Sequence, residues 1–285
     1  MNPKIALIHH RGLHNFNRNS QNSFVADLTS LAENGLAALT RAAQDPDAMG
    51  MEFDVQLCKE TNQDPDTAFC VFHDDKLSQV NGDESSLVSK LSLAELSQAT
   101  AATTNPRFFD DNQAMATVPS FKDLMLALCD YSGTLSIELK TELDDVSEYI
   151  QKFKTQVIHI PDSATVIFHS FSITLLDGLY KAILEAYPQA KLACNFANLT
   201  DLQRLQNDFP ELFKQIDYLY PDFKCIQAGS DSRQSILQLA KQESKQLIPW
   251  TVNDKNSLRE LIDINKTDPG RVVAFISDNP GLRTA

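Results

Sequence analysis

The stretch Met51-Glu52-Phe53-Asp54-Val55-Gln56 decides the fold. It reads as a buried strand, yet it carries two carboxylates at i and i+2. Alternate strand residues share a face, so Glu52 and Asp54 point one way and Phe53 and Val55 the other. Two anions about 6–7 Å apart on one strand face repel unless positive charge lies between them. A hard divalent cation is the simplest candidate. Two solvated carboxylates on a half-exposed strand is the plainer alternative, and it would suffice if the stretch stood alone.

Similar stretches stand around it. Ile5-Ala6-Leu7-Ile8 is apolar and stops at His9-His10-Arg11-Gly12. The two histidines face opposite ways if the strand runs that far, so one belongs to a site and the other is structural. A strand over 67–72 ends at His73-Asp74-Asp75, and Thr134-Leu135-Ser136-Ile137 ends at Glu138-Leu139-Lys140. The second half of 13–31 allows a helix, and Asn34 is placed to cap another that runs to about Ala43, with Leu36 and Leu39 on its buried side.

From about residue 146 onward, strand and helix patterns alternate to Ser277-Asp278-Asn279-Pro280. Expected helix caps there include Thr200 and Asp254. Repeated strand–helix units imply a parallel sheet with helices outside. The polar residues fall where strands end, which is where a (β/α)8 barrel places its active site. A distorted TIM-type α/β barrel is therefore expected, as a single domain over 1–285 with an insertion at about 75–118. That insertion shows one capping pattern, Ser92-Leu93-Ala94-Glu95, and a loop signal at Asp110-Asp111-Asn112. A doubly wound open sheet is the runner-up, but no glycine-rich phosphate loop follows the first strand.

Nine strand-like segments compete for eight places, so one lies outside the barrel. Between Asp54 and His73 there is no convincing helix. A hairpin is the default connection for so short a gap. It would, however, carry His73 toward the far end of the sheet, so a shared site is read here as requiring parallel strands.

The totals narrow the function classes. The 285 residues are 42% hydrophobic with 16 Phe, ample for a core. A formal charge of −13 argues against nucleic acid or an anionic membrane as partner. The five cysteines are scattered without CxxC spacing, so neither a disulfide framework nor a zinc site is expected. No signal-peptide-like run follows Met1, and no apolar stretch approaches the ~18 residues of a membrane span. A cytoplasmic protein without a transmembrane segment is expected; oligomeric state is not legible.

The strand ends together hold His10, Arg11, Glu52, Asp54, His73, Glu138 and Lys140. Three carboxylates suit Mg²⁺ or Ca²⁺ better than zinc. Arg11 and Lys140 could hold phosphate oxygens, and two imidazoles supply a base and an acid. This inventory fits phosphodiester cleavage.

These motifs, in this order, resemble the glycerophosphodiester phosphodiesterase family. Its HRG is seen as His10-Arg11-Gly12, its ExDVQ as Glu52-Phe53-Asp54-Val55-Gln56, and its HD as His73-Asp74. Its PENT and LAAF look like Ala32-Glu33-Asn34-Gly35 and Leu36-Ala37-Ala38-Leu39, with Asn22 a second candidate for the same asparagine. PSF and ExK match Pro119-Ser120-Phe121 and Glu138-Leu139-Lys140; WTVN and TDxP match Trp250-Thr251-Val252-Asn253 and Ser277-Asp278-Asn279-Pro280. The resemblance implies hydrolysis of a small-molecule glycerophosphodiester to glycerol 3-phosphate and an alcohol, with a divalent metal. It implies metal binding by Glu52, Asp54 and Glu138, acid/base roles for His10 and His73, phosphate contacts from Arg11 and Lys140, and Trp250 lining the pocket. The competing readings are a phospholipase or sphingomyelinase-D-like phosphodiesterase and an inactive barrel that only binds phosphorylated ligands. The first should carry an apolar or basic membrane-facing rim, and the second should lack a histidine or a carboxylate; neither sign is present.

Overall fold

Eight parallel strands wrap into a nearly closed barrel in the order β8-β7-β6-β5-β4-β2-β1-β9. They are β1 (Ala6–His9), β2 (Gly50–Leu57), β4 (Thr134–Lys140), β5 (Thr165–Ser170), β6 (Lys191–Phe196), β7 (Tyr218–Pro221), β8 (Gln246–Leu247) and β9 (Ala274–Ser277); a short strand β3 (Phe69–Val71) lies off this path. The first and last edges meet where Leu247 bridges Val272, and Val252 N–H donates to the Ile276 carbonyl. The computed structural model describes residues 4–14, 31–61, 68–103, 105, 107–108, 118–141, 146–156 and 159–283. The helix expected in 13–31, Asn22, the loop at 110–112 and the start of the strand at Thr67 lie outside these residues.

Alternation along the strands sorts the side chains, as period-2 geometry requires. Leu7, Met51, Phe53, Val55, Leu135, Ile137, Leu139, Val166 and Phe168 point outward into one continuous apolar layer beneath the helices. Ile8, Ile167, Ala193, Tyr220, Ile248, Ala274 and Ile276 fill the barrel interior as a separate cluster. Most of the covering helices follow the sequence pattern. Helix α1 (Leu36–Ala42) is followed in the insertion by the short α2 (Ser78–Asn81) and by α3 (Leu93–Ala101), where Ser92 and Glu95 form the expected capping box. Ser120 caps α4 (Phe121–Ala127) by accepting from Asp123 N–H. Further along, the helix Ile173–Ala186 follows β5, and Asp254 caps the helix Lys255–Thr267. The helix after β6, Leu199–Asp208, is capped by Asn198 rather than Thr200, because it begins two residues earlier. Asn34 is not a helix cap either: α1 has Gly35 at its N-cap, and the Asn34 side chain is used elsewhere.

The strand β3 corrects the expected parallel arrangement. It pairs antiparallel with the end of β2, in the register Val55↔Val71, Gln56↔Cys70 and Leu57↔Phe69. The objection to a hairpin assumed that β3 would run the length of β2. It pairs with only three residues, and Phe72 N–H then donates to the Asp54 carbonyl at 3.1 Å. The chain therefore descends from beyond the C-terminal rim and delivers His73 beside Asp54, without a crossover.

Four cysteines are buried and Cys129 is exposed, all as free thiols. Among the described residues no helix is long and apolar enough to cross a membrane.

Candidate active site

The inward face of each strand continues past the apolar layer into polar residues at the C-terminal end. On β1 this face is Ala6, Ile8 and then His10, while His9 shares the outward face with Leu7. His9 is 1% exposed and its Nε2 lies 2.8 Å from Asp45 Oδ2, outside the barrel. It is the structural histidine of the pair. Gly12, at φ +79°, makes the turn that follows; a Cβ there would stand 2.7 Å from the Ala38 backbone, so only glycine fits.

Glu52 and Asp54 of β2 and Glu138 of β4 bring one carboxylate oxygen each to within 4.8 Å of one another, and all three side chains are buried. Asp54 and Glu138 are register partners on adjacent strands. Arg11 lies at φ +52°, which lets its N–H donate to Glu52 Oε2 at 3.1 Å. Its guanidinium folds back onto Glu33 (2.8 Å) and Asp54 (3.4 Å). Lys140 Nζ sits 3.4 Å from Glu138 Oε1 and 3.9 Å from Asp54 Oδ1. Burial, then the charges of Asp54 and Glu138, pushes the Glu52 carboxyl well above the ordinary range. Burial likewise raises Glu138, against the pull of Lys140. Asp54 goes the other way: burial is outweighed by His73, Arg11 and Lys140. For two of the three converging carboxylates, burial and like charge thus outweigh the cations beside them. An all-oxygen, all-carboxylate set in that condition fits a hard divalent cation.

Asp54 is held from behind by Asn34, whose Nδ2 donates to Oδ2 at 2.8 Å while its Oδ1 accepts from the Asp54 N–H at 3.2 Å. Asn34 itself lies at φ +57°. On the other side, Asn195 of β6 donates to Glu138 Oε2 at 3.0 Å and accepts from His169 Nδ1 at 3.0 Å. Both amides orient carboxylates of the converging trio.

Each candidate catalytic histidine rests on an aspartate. His10 Nδ1 lies 2.5 Å from Asp278 Oδ1, and its Nε2 faces Glu52 at 3.9 Å. Burial lowers the His10 pKa, with Asp278 opposing, so the ring is neutral near pH 7. Asp278 is fixed in turn by Asn253 Nδ2 (2.7 Å) and approached by His14 Nε2 (3.4 Å). His73 Nδ1 lies 2.5 Å from Asp74 Oδ1. The two imidazole side chains keep 19% and 31% of their surface exposed, whereas the Glu52 and Asp54 side chains keep 3% and 2%, so a substrate reaches the imidazoles first. A cleft of ≈ 580 Å³ opens beside His73 and Lys140, with Asp75, Lys76 and Leu87 on its walls. Trp250 follows β8 and bridges Asp222 after β7, its Nε1 donating to the Tyr220 carbonyl at 2.8 Å and its ring edge-to-face with the exposed Phe171 at 5.2 Å.

The candidate residues therefore gather at one end of the barrel, with Trp250 at its edge. Residues 10–282 match the glycerophosphoryl diester phosphodiesterase family. The chain belongs to this family.

Solved phosphodiesterases share its fold. A glycerophosphodiester phosphodiesterase from Thermotoga maritima is 18% identical with a TM-score of 0.59, covering 96% of this chain and 94% of its own. Another from Parabacteroides distasonis is also 18% identical, with a TM-score of 0.60 and coverage of 98% and 94%. A calcium-dependent phosphoinositol-specific phospholipase C from a Pseudomonas species is 8% identical, with a TM-score of 0.55 and coverage of 100% and 92%. No curated protein matches the chain in sequence.

Within this phosphodiesterase several site residues were not singled out by sequence reasoning: Asp278 as the partner of His10, and Asn195 and Arg107 as second-layer groups. His10 and Asp278 are 268 positions apart and meet because β1 pairs with β9. Two signals pointed to Asp278: its place in the TDxP-like stretch, and a polar end on the last strand, which closure of a barrel must bring beside the first.

Proposed function

We propose that the chain hydrolyses glycerophosphodiesters to glycerol 3-phosphate and an alcohol with a divalent cation, Mg²⁺ or Ca²⁺, held by Glu52, Asp54 and Glu138. The observation that carries this reading is the convergence of three buried carboxylates beside two part-exposed imidazoles, each turned by its own aspartate. A cation bound there would offset the negative charge that builds on the phosphoryl oxygens.

The residues of the chain then do the proton work. Cleavage of a phosphodiester requires that the attacking oxygen lose a proton and the departing alkoxide gain one. His10 is suited to the first task. Burial keeps it neutral, and Asp278 fixes Nδ1 so that Nε2 faces the site. His73, oriented by Asp74 at the edge of the cleft, is suited to the second. Lys140, beside the carboxylates and on the cleft wall, meets a phosphate oxygen. Arg11 does so only while also holding Glu33 and Asp54, so its first task is to hold the site together. Trp250 and its Phe171 neighbour offer an apolar edge for the carbon skeleton of the substrate.

General acid catalysis is worth roughly 10²–10⁴-fold when the leaving group is an alkoxide. With p-nitrophenolate the proton is hardly needed. His73→Ala should therefore lose about that factor on glycerophosphocholine and much less on a p-nitrophenyl phosphodiester, while His10→Ala should lose heavily on both. Equal losses from both variants on both substrates would refute the division of roles.

A further inference from the structure

Arg107 comes from the insertion between β3 and β4 and carries two ionic forks. Its Nε and Nη2 donate to Glu33 at 3.0 and 2.7 Å, and its Nη1 and Nη2 donate to Asp74 at 3.2 and 3.0 Å. Two-point pairing of a guanidinium with a carboxylate fixes direction as well as distance. The backbone adds to the grip, because the Glu33 N–H donates to the Arg107 carbonyl at 2.9 Å.

The next residue holds the same target from its other side. Phe108 is buried and stacks on Phe72, centroids 5.5 Å apart and 22° from parallel. Phe72 and Asp74 flank His73 in the chain. The insertion therefore grips both neighbours of that histidine, one through an aromatic stack and one through an ion pair, and Asp74 passes the constraint to the ring through its 2.5 Å contact with Nδ1. Asn105 anchors this segment, its Oδ1 accepting from the Arg107 N–H at 3.1 Å and its Nδ2 donating to the Gln79 carbonyl at 2.7 Å.

We infer that Arg107, with Phe108, is a positioning residue for proton delivery: the pair sets the place and orientation of His73 for the leaving oxygen. The inference rests on the reading of His73 as the general acid given above. Strand β3 is too short to fix His73 by ladder hydrogen bonds alone, since its last register pair is Val55↔Val71. Gln56 of β2 holds the backbone of the same two neighbours, its Nε2 donating to the Phe72 and Asp74 carbonyls at 2.7 and 3.0 Å, and the clamp adds the hold on the Asp74 carboxylate and the Phe72 ring. A misdirected acid costs turnover in the step that needs its proton, and leaves ground-state binding nearly intact.

The test compares Arg107→Gln, Arg107→Lys, His73→Ala and the double variant His73→Ala/Arg107→Gln on glycerophosphocholine and on a p-nitrophenyl phosphodiester, with metal saturating. Arg107→Gln should lower kcat on glycerophosphocholine by about 10–100-fold, part of the general-acid factor, with KM nearly unchanged and the p-nitrophenyl reaction within about threefold. Arg107→Lys, which keeps the charge but not the forks, should fall between. The double variant should be no slower on glycerophosphocholine than His73→Ala alone, because a positioning residue has nothing left to position. A purely structural role would slow both substrates alike and make the double variant slower still. Either result overturns the inference while leaving His73 as the acid. If His73→Ala itself shows no dependence on the leaving group, the acid assignment falls first and the inference with it.

Discussion

Replacing Asn34 by alanine should loosen Asp54 without opening the barrel. The asparagine makes two buried hydrogen bonds to that residue, one from Nδ2 to the carboxylate and one accepted from the backbone N–H. Losing a bond to a charged acceptor costs roughly 1.5–3 kcal/mol, and a buried N–H left unpaired costs about 1–3 kcal/mol. Alanine must also hold φ +57°, which asparagine tolerates better and which costs an ordinary residue roughly 1–2 kcal/mol. Asn34→Ala should therefore lower unfolding stability by about 4–8 kcal/mol in metal-free protein, at the high end for a point change. Asn34→Gly loses the same bonds but not the strain, so it should be about 1 kcal/mol more stable than the alanine variant despite glycine's greater unfolded-state entropy. Both should bind a divalent cation about 10–100-fold more weakly, as expected when a ligand's outer partner is removed. Urea unfolding and isothermal calorimetry with Ca²⁺ or Mg²⁺ read the two effects. Wild-type metal affinity in both variants would refute the idea that Asn34 orients Asp54, and an alanine variant more stable than the glycine one would refute the strain argument.

Two further outcomes follow from the same geometry. Glu138→Gln should raise the metal concentration needed for half-maximal activity, whereas Lys140→Met should leave it nearly unchanged and lower turnover or substrate affinity; equal shifts in metal dependence would contradict the separate roles. Burial and neighbouring carboxylates raise the pKa of Glu52 and Glu138 in the folded state. The metal-free folded protein thus holds protons that the unfolded chain releases, and its stability falls as pH rises from the ordinary carboxyl value of 4.5 through the raised values. A cation replaces those protons, so the gain in Tm on adding Ca²⁺ should be small near pH ~5 and grow toward pH ~8; a gain independent of pH would count against the trio as the binding site.

The barrel was legible because its physics is local. Strand β2 announces its two faces by alternation, and β4 does the same with Glu138 and Lys140. What escaped reading depends on closure or on chain reversal. Antiparallel β3 has only three paired residues, too few for periodicity to show its direction, and its consequence for His73 depends on a register no sequence pattern encodes. Asn34 carries the composition of a helix cap, but its positive φ turns the side chain toward Asp54 and hands the cap position to Gly35. Arg107 sits in a polar segment without core pattern, where only the folded chain shows that Glu33 and Asp74 converge on it. Asn195 looks like an ordinary polar residue in a buried strand until β6 is placed two strands from β4.

The central claim is that hydrolysis runs through a divalent cation held by Glu52, Asp54 and Glu138. Its most direct test is release of glycerol 3-phosphate from glycerophosphocholine by protein stripped with EDTA, before and after Mg²⁺ or Ca²⁺ is restored, alongside Asp54→Asn, which keeps the shape of the side chain but not its charge. Turnover should vanish on stripping, return with metal in the wild type and fail to return in the variant at the same metal concentration. Full turnover in the stripped wild-type protein would contradict the account.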